Sequence, residues 1–256
     1  MNHPRIQALV KALLLIGVGF FLYGRIANGT LYYYINERFA GFTLFGVIGL
    51  LAVGLAYQFG RHTETGEGHE HHVHSDHSHQ SHGHALSWGG ALLVALPIVL
   101  GLAVPPRPLG VSALDNREMS LSLEQSALPA AVQAAAAKAA AERTILDWWR
   151  AFQTTTDYST LAGQEAKVVG FVYRNPERYG EDHFLLTRFV VSCCVADAAV
   201  VGLVVRWPET AMLQDDQWVE VSGVFAPSQL EGWEAPVLAA KTVTPVATPT
   251  QPYLYP

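Results

Sequence analysis

The sequence predicts a membrane α-helical amino-terminal part joined to a mainly β carboxyl-terminal domain, an OB-like barrel of five strands preceded by a short helix. Three observations predict it. Half of the 256 residues are hydrophobic and only 15% are charged, where a soluble domain carries about a quarter. The apolar residues of the first 104 positions collect in three long runs. Beyond residue 165 they fall instead into five short segments rich in Val and aromatics, with Gly, Pro, Asn and Asp between several of them, as strands and turns require.

The first run, residues 6–23, has the core ALLLIGVGFFLYG. It reaches the roughly 17–25 residues that cross a bilayer only by including Lys11, whose stem can snorkel to the headgroups. A cleaved signal peptide is the alternative, but Tyr23, Gly24 and Arg25 follow where small residues would be needed. The second run, residues 39–59, has no charge and many glycines, which suit close helix packing in lipid. The third, residues 86–104, contains Pro97 and is stopped by Pro105, Pro106 and Pro108; an internal proline is tolerated in a membrane helix. Tyr32, Tyr33, Tyr34 and Trp88 sit near the run ends, where interfacial aromatics belong.

Three crossings put the amino terminus and the loop 60–85 on one side, and the Tyr32–Tyr34 loop and the carboxyl domain on the other. Arg5, Lys11 and Arg61 face Arg25, Arg38, Arg107 and Arg117 across the membrane, a nearly even count under the positive-inside rule. The reading taken forward is a multi-pass cell-membrane protein with a cytoplasmic amino terminus and histidine loop, and the carboxyl domain outside.

Residues 105–141 read as an Ala-rich linker. The β domain is placed at 142–245, with a Pro-rich extended tail at 246–256. TILDWWRAF predicts a short helix: Thr144 and Asp147 have capping-box spacing, and Ile145, Trp148, Trp149 and Phe152 share one face. The strands are expected at 166–174, 183–193, 200–207, 217–225 and 235–243. In the fourth, Val219, Val221 and Phe225 alternate with Trp218, Glu220 and Ser222, the pattern of a half-buried strand.

Sixteen basic against twenty-two acidic residues leave no basic patch, which excludes nucleic acid as the expected partner. The chemistry concentrates in two places. Residues 68–85 contain His69, His71, His72, His74, His77, His79, His82 and His84. Neutral imidazole binds zinc, copper, nickel or iron, so this stretch is the expected site for a divalent metal. With almost no apolar residue it cannot build a rigid core, which favours several exchanging sites over one fixed centre. A polar spacer is the alternative, but serine or glutamate would serve that purpose equally well.

The second place is TRFVVSCCVADA, residues 187–198, which holds the two cysteines of the chain. In the strand expected at 183–193, Cys193 shares an apolar face with Leu185, Phe189, Val191 and Val195, and Cys194 a more polar one with Arg188 and Ser192, unless a bulge intervenes. Regular alternation would also keep the two thiols from reaching one metal ion. Cys193 is therefore expected to be the more buried. Two structural cysteines are the leading reading. A metal or thiolate site formed by Cys194, Asp197 and His183 is a second, and a strained vicinal disulfide a third. No C-x-x-C is present, which weighs against thioredoxin-like chemistry.

GFVYR at 170–174, TRFVVSCCVADA at 187–198, QWVEVSGVF at 217–225 and the closing PYLYP at 252–256 together resemble a family of bacterial membrane proteins described as permease subunits, the YcgQ-like family. The resemblance covers nearly the whole chain and is strongest from Thr144 onward; the CC-x-AD run is its most specific element. It implies a multi-span permease as partner and a link to divalent metal, zinc above others. The long Ala-rich linker is a departure from the family plan.

The function expected is a non-enzymatic accessory subunit of a membrane permease complex, with the histidine loop binding metal and the bilayer as its surroundings. Buried ionisable groups mark ion paths in membranes, and only Lys11 falls near a run, so a partner must supply the channel. The alternative is a membrane-anchored barrel that recognises an envelope ligand or protein. An enzyme with Cys194 as nucleophile is disfavoured, because His183 is the one histidine after residue 84.

Overall fold

The computed structural model of the chain describes residues 4–59, 88–114, 138–155, 157–230 and 233–256. They form two compact units: Met1–Tyr32 with Glu37–Pro106, and Tyr33–Asn36 with Arg107–Pro256.

The first unit is helical. Helix α1 spans Pro4–Ala27, α2 spans Ala40–Phe59 and α3 spans Trp88–Ala103. Small residues let these helices approach closely. A Cβ added at Gly54 would lie 2.8 Å from Ile16 of α1. One added at Gly101 of α3 would run into the Phe21 ring of α1. Apolar residues long enough to cross a membrane run from Ile6 to Ala27 and from Glu37 to Ala56. The third predicted run is a shorter apolar helix, Gly89–Ala103, among the described residues. Much of the apolar surface faces outward: Phe42 is 74% exposed and Phe45 77%.

The second unit is the barrel. Its strands are β1 (Glu165–Tyr173), β2 (His183–Val190), β3 (Ala199–Arg206), β4 (Trp218–Leu230) and β5 (Trp233–Pro245). They close in the order β1-β2-β3-β5-β4. Every neighbouring pair is antiparallel except β3 with β5. Five strands closed in this way fit an OB-like barrel. The Val and aromatic segments predicted as strands all pair, with β4 and β5 longer than expected and β2 shorter.

Helix α4, Ile145–Thr154, starts with the expected capping box. The Asp147 amide donates to Thr144 Oγ1 at 3.3 Å, and the Thr144 amide donates to Asp147 Oδ2 at 2.9 Å. The helix turns Ile145, Leu146, Trp148 and Trp149 into the barrel core, where they meet Val168, Phe184, Leu186, Val219, Val221 and Phe225. Gly170 permits this packing, since a Cβ there would lie 2.8 Å from both Ile145 Cδ1 and the Thr187 carbonyl oxygen. A short helix α5, Pro176–Tyr179, links β1 to β2.

Two expectations change. Both ends of the expected linker 105–141 are packed: Leu109, Val111, Ala113 and Leu114 lie against a second apolar cluster, and Ala140 against the first. Its centre, residues 115–137, lies outside the described residues. Trp218, expected on a solvent face, is only 8% exposed. The reason is the same in both cases: apolar side chains of the linker and the tail cover the outer face of the barrel, so strands that alternate in sequence are buried on both sides.

Candidate functional site

The outer cluster is where the sequence motifs meet. Phe171 of GFVYR stacks on Phe189 of TRFVV, with centroids 5.7 Å apart. Trp218 of QWVEV lies 5.8 Å from Phe171. Val191, Ala198, Val200 and Tyr253 complete the buried set. The Arg188 guanidinium lies 5.6 Å over the Trp218 ring. It also donates to the backbone carbonyls of Gln251, Pro252 and Tyr253 at 2.6, 3.1 and 3.4 Å. Burial pushes its pKa down to about 10, against a counteracting pull from Tyr255, so it stays charged near neutrality.

The tail held in this way runs beside β2. Val190 and Leu254 form a parallel bridge. The Leu254 amide donates to the Phe189 carbonyl at 2.8 Å, and the Val191 amide to the Leu254 carbonyl at 2.9 Å. The expected extended tail is thus a clamped segment, with Pro252, Tyr253 and Leu254 buried.

Strand β2 stops at Val190, before the cysteines. Residues 191–198 form a turn closed by a 3-10 helix at Val195–Asp197. Asp197 organises it. Its carboxylate accepts from the backbone amides of Ser192, Cys193 and Cys194 at 3.0, 2.7 and 3.5 Å. Desolvation is the largest single influence on this carboxyl and acts upward. The Cys193 thiol and the three amides outweigh it together and hold the carboxyl below the usual carboxylate range. Asp197, followed by the Cys194 thiol, pushes the Cys193 thiol up to about 11, so Cys193 is a neutral thiol at pH 7 and not an activated nucleophile.

This turn receives a segment from far away in the chain. Ile35 forms an antiparallel bridge with Cys194. The Asn36 amide donates to the Cys193 carbonyl at 3.0 Å, and the Val195 amide to the Tyr34 carbonyl at 2.9 Å. The Asn36 side chain, 1% exposed, donates to the carbonyls of Val191 and Ser192 at 3.2 and 3.0 Å. The Tyr253 hydroxyl donates to the Tyr33 carbonyl at 3.2 Å and accepts from the Leu109 amide at 2.9 Å. Residues 33–36 connect α1 to α2 in sequence, so CC-x-AD and PYLYP together hold the connector of the first two apolar helices.

The structure corrects the reading of the cysteines. Cys193 is exposed and Cys194 half-buried, the reverse of the order that strand alternation predicts. The strand ends three residues early, because three successive amides of the turn close on Asp197 instead of pairing in a ladder. For the same reason the thiols are not held on opposite faces: their Sγ atoms are 3.7 Å apart. The expected trio of Cys194, Asp197 and His183 is not assembled. His183 pairs with Arg206 at the far end of β2, and its Nδ1 lies 2.6 Å from Asp182 Oδ1. Among the described residues no group of three or more His, Cys, Asp or Glu could hold a metal ion. His69, His71, His72, His74, His77, His79, His82 and His84 lie outside the described residues. Asn36 is a functional position that no sequence motif marks. It is one of two asparagines, with Asn28, between the first two apolar helices.

A test of the turn follows from Asp197. Its folded pKa is depressed, so the stability it contributes is present above the unfolded value, about 3.9, and is lost as pH falls through the folded value. Asp197→Asn should therefore flatten the acid limb of the unfolding curve below about pH 4. Chemical denaturation measured from pH 3 to 7 checks this; parallel acid limbs would show that the carboxylate does not hold the turn.

Apolar helices of membrane-spanning length followed by a closed barrel define a class of membrane-anchored barrel proteins, and the comparisons give the family. The DUF1980 N-terminal domain matches residues 10–120, and the DUF1980 C-terminal domain matches residues 138–256. UPF0703 protein YcgQ of Bacillus subtilis (strain 168) is 25% identical over 284 aligned positions, covering 96% of this chain and 99% of that protein. A Streptococcus mutans protein named "Putative two-component membrane permease complex subunit" is 26% identical over 207 positions, covering 68% of this chain and 75% of that one. The chain belongs to the DUF1980 family, the YcgQ-like family to which its motifs pointed.

Proposed function

We propose that this chain is a non-enzymatic accessory subunit of a membrane permease complex. The name of the Streptococcus mutans relative supports it. One observation carries it: α1, α2 and α3 expose large apolar side chains yet hold no acidic or histidine residue from Ile6 to Ala27, from Arg38 to Ala56 or from Gly89 to Ala103. Such helices can sit in lipid but line no ion path, so the path belongs to a multi-span partner. In this reading α3 supplies a third crossing. The barrel then shares the side of the connector it holds, and the amino terminus and residues 60–85 take the other, cytoplasmic side. The eight histidines capture a divalent cation of the zinc class for that complex, and the barrel docks on the permease.

The test is copurification from detergent-solubilised membranes of the intact chain and of a chain lacking residues 68–84, with bound and cellular zinc measured for both. The expected result is one multi-span protein recovered in fixed ratio with either chain, and altered zinc only with the deletion. Recovery of the chain alone would refute the subunit reading. Unchanged zinc at equal protein level would refute the metal role while leaving the subunit reading intact.

A further inference from the structure

The paired cysteines are a site that neither the permease reading nor the histidine stretch requires. Their Sγ atoms are 3.7 Å apart. Two thiolates on one tetrahedral zinc-class ion, each at about 2.3 Å, lie about 3.8 Å from one another. The turn therefore already presents both sulfurs at the separation of a shared metal ion, without any change of fold. Cys193 is exposed and Cys194 half-buried, so an ion can reach both from solvent. The Asp197 carboxylate, which accepts from the Cys193 amide at 2.7 Å, adds negative charge beside the pair and attracts a cation. The backbone groups that hold residues 34–36 are amides and carbonyls, so the thiols are not consumed by that contact.

We propose that Cys193 and Cys194 form a bidentate thiolate site for a thiophilic divalent cation of the zinc–cadmium class. Binding replaces the two S–H protons by two sulfur–metal bonds and releases both protons to solvent, with no change of oxidation state. Structural zinc sites use four protein ligands. Here two come from the turn and solvent fills the rest, which makes this a site of exchange. Asp197 remains occupied by the turn amides and acts as a neighbouring charge.

The experiment uses the full chain in detergent, reduced with a phosphine and titrated with cadmium. The chain has only two cysteines, so a thiolate-to-cadmium charge-transfer band reports this pair and is silent to imidazole. The expected result is a band whose plateau amplitude is that of one cadmium held by two thiolates per chain, whatever the imidazoles also bind, with both thiols protected from alkylation. Cys193→Ser and Cys194→Ser should each weaken binding by roughly 100-fold, the low end of what two linked ligands supply, while unfolding as the parent does. His183→Ala should leave the band unchanged. Absence of the band in the reduced parent, its persistence at parental affinity in either serine variant, or saturation at one cadmium per two chains would overturn the site.

Discussion

Replacing Trp148 by alanine should cost the barrel about 3–5 kcal/mol, the range for large aromatic truncations in a packed core. Trp148 is fully buried. Its ring lies 4.7 Å from Phe225 and 6.5 Å from Phe152, and the Arg143 guanidinium sits 4.8 Å over it. Removing the indole opens a cavity that α4 cannot close by moving, because Ile145 and Leu146 are anchored in the same core and the capping box fixes the start of the helix. Phe152 and Phe225 keep their edge-to-face contact at 5.4 Å, so Trp148→Phe should cost clearly less. Denaturant unfolding of the intact chain in detergent checks both. An alanine variant as stable as the parent would mean that α4 is an appendage and not part of the core.

The second large effect is expected at Arg188. Arg188→Ala removes donors to three tail carbonyls and the cation above Trp218. Hydrogen bonds from charged groups contribute about 1.5–3 kcal/mol, and partial replacement by water puts the expected net loss at about 2–3 kcal/mol. Arg188→Lys should rescue little, because an ammonium cannot fork across several carbonyls as a guanidinium does. The effect should be local first. Amides of Val191 and Leu254, which bond between β2 and the tail, should lose hydrogen-exchange protection before the β1–β4 ladder does. Equal protection of these amides in parent and variant would contradict the clamp.

Much of the barrel was legible because its signals are local. Val and aromatic runs broken by turn residues gave all five strands, and the Thr144–Asp147 spacing gave the helix start. Two of the three apolar runs appear at membrane-crossing length. What the sequence could not display is long-range. Nothing near Trp218 says that Leu109 and Tyr253, more than thirty positions away on either side, will cover it. Strand β2 ends short of the expected Cys193 because the amides of Ser192, Cys193 and Cys194 are captured by an aspartate further along, Asp197. Asn36 and Cys193 are more than 150 positions apart, and only the fold joins them. The motifs of the resemblance, far apart in sequence, come together in the fold. GFVYR, TRFVV, QWVEV and PYLYP build one outer cluster, and CC-x-AD is a receptor for the helix connector.

A single cross-link tests that docking. Ile35 and Cys194 are directly opposed across an antiparallel bridge, where Cβ atoms lie about 4.5–5.5 Å apart, close to the span of a disulfide. In a chain carrying Ile35→Cys and Cys193→Ser, mild oxidation of native membranes should join the introduced thiol to Cys194 within one chain, read as a reducible cross-link between peptides of the α1–α2 connector and of the barrel. The same chain with Cys194→Ser should give none. Failure of the first chain to form this bond while both thiols remain open to alkylation would contradict the docking of residues 33–36 on the paired-cysteine turn.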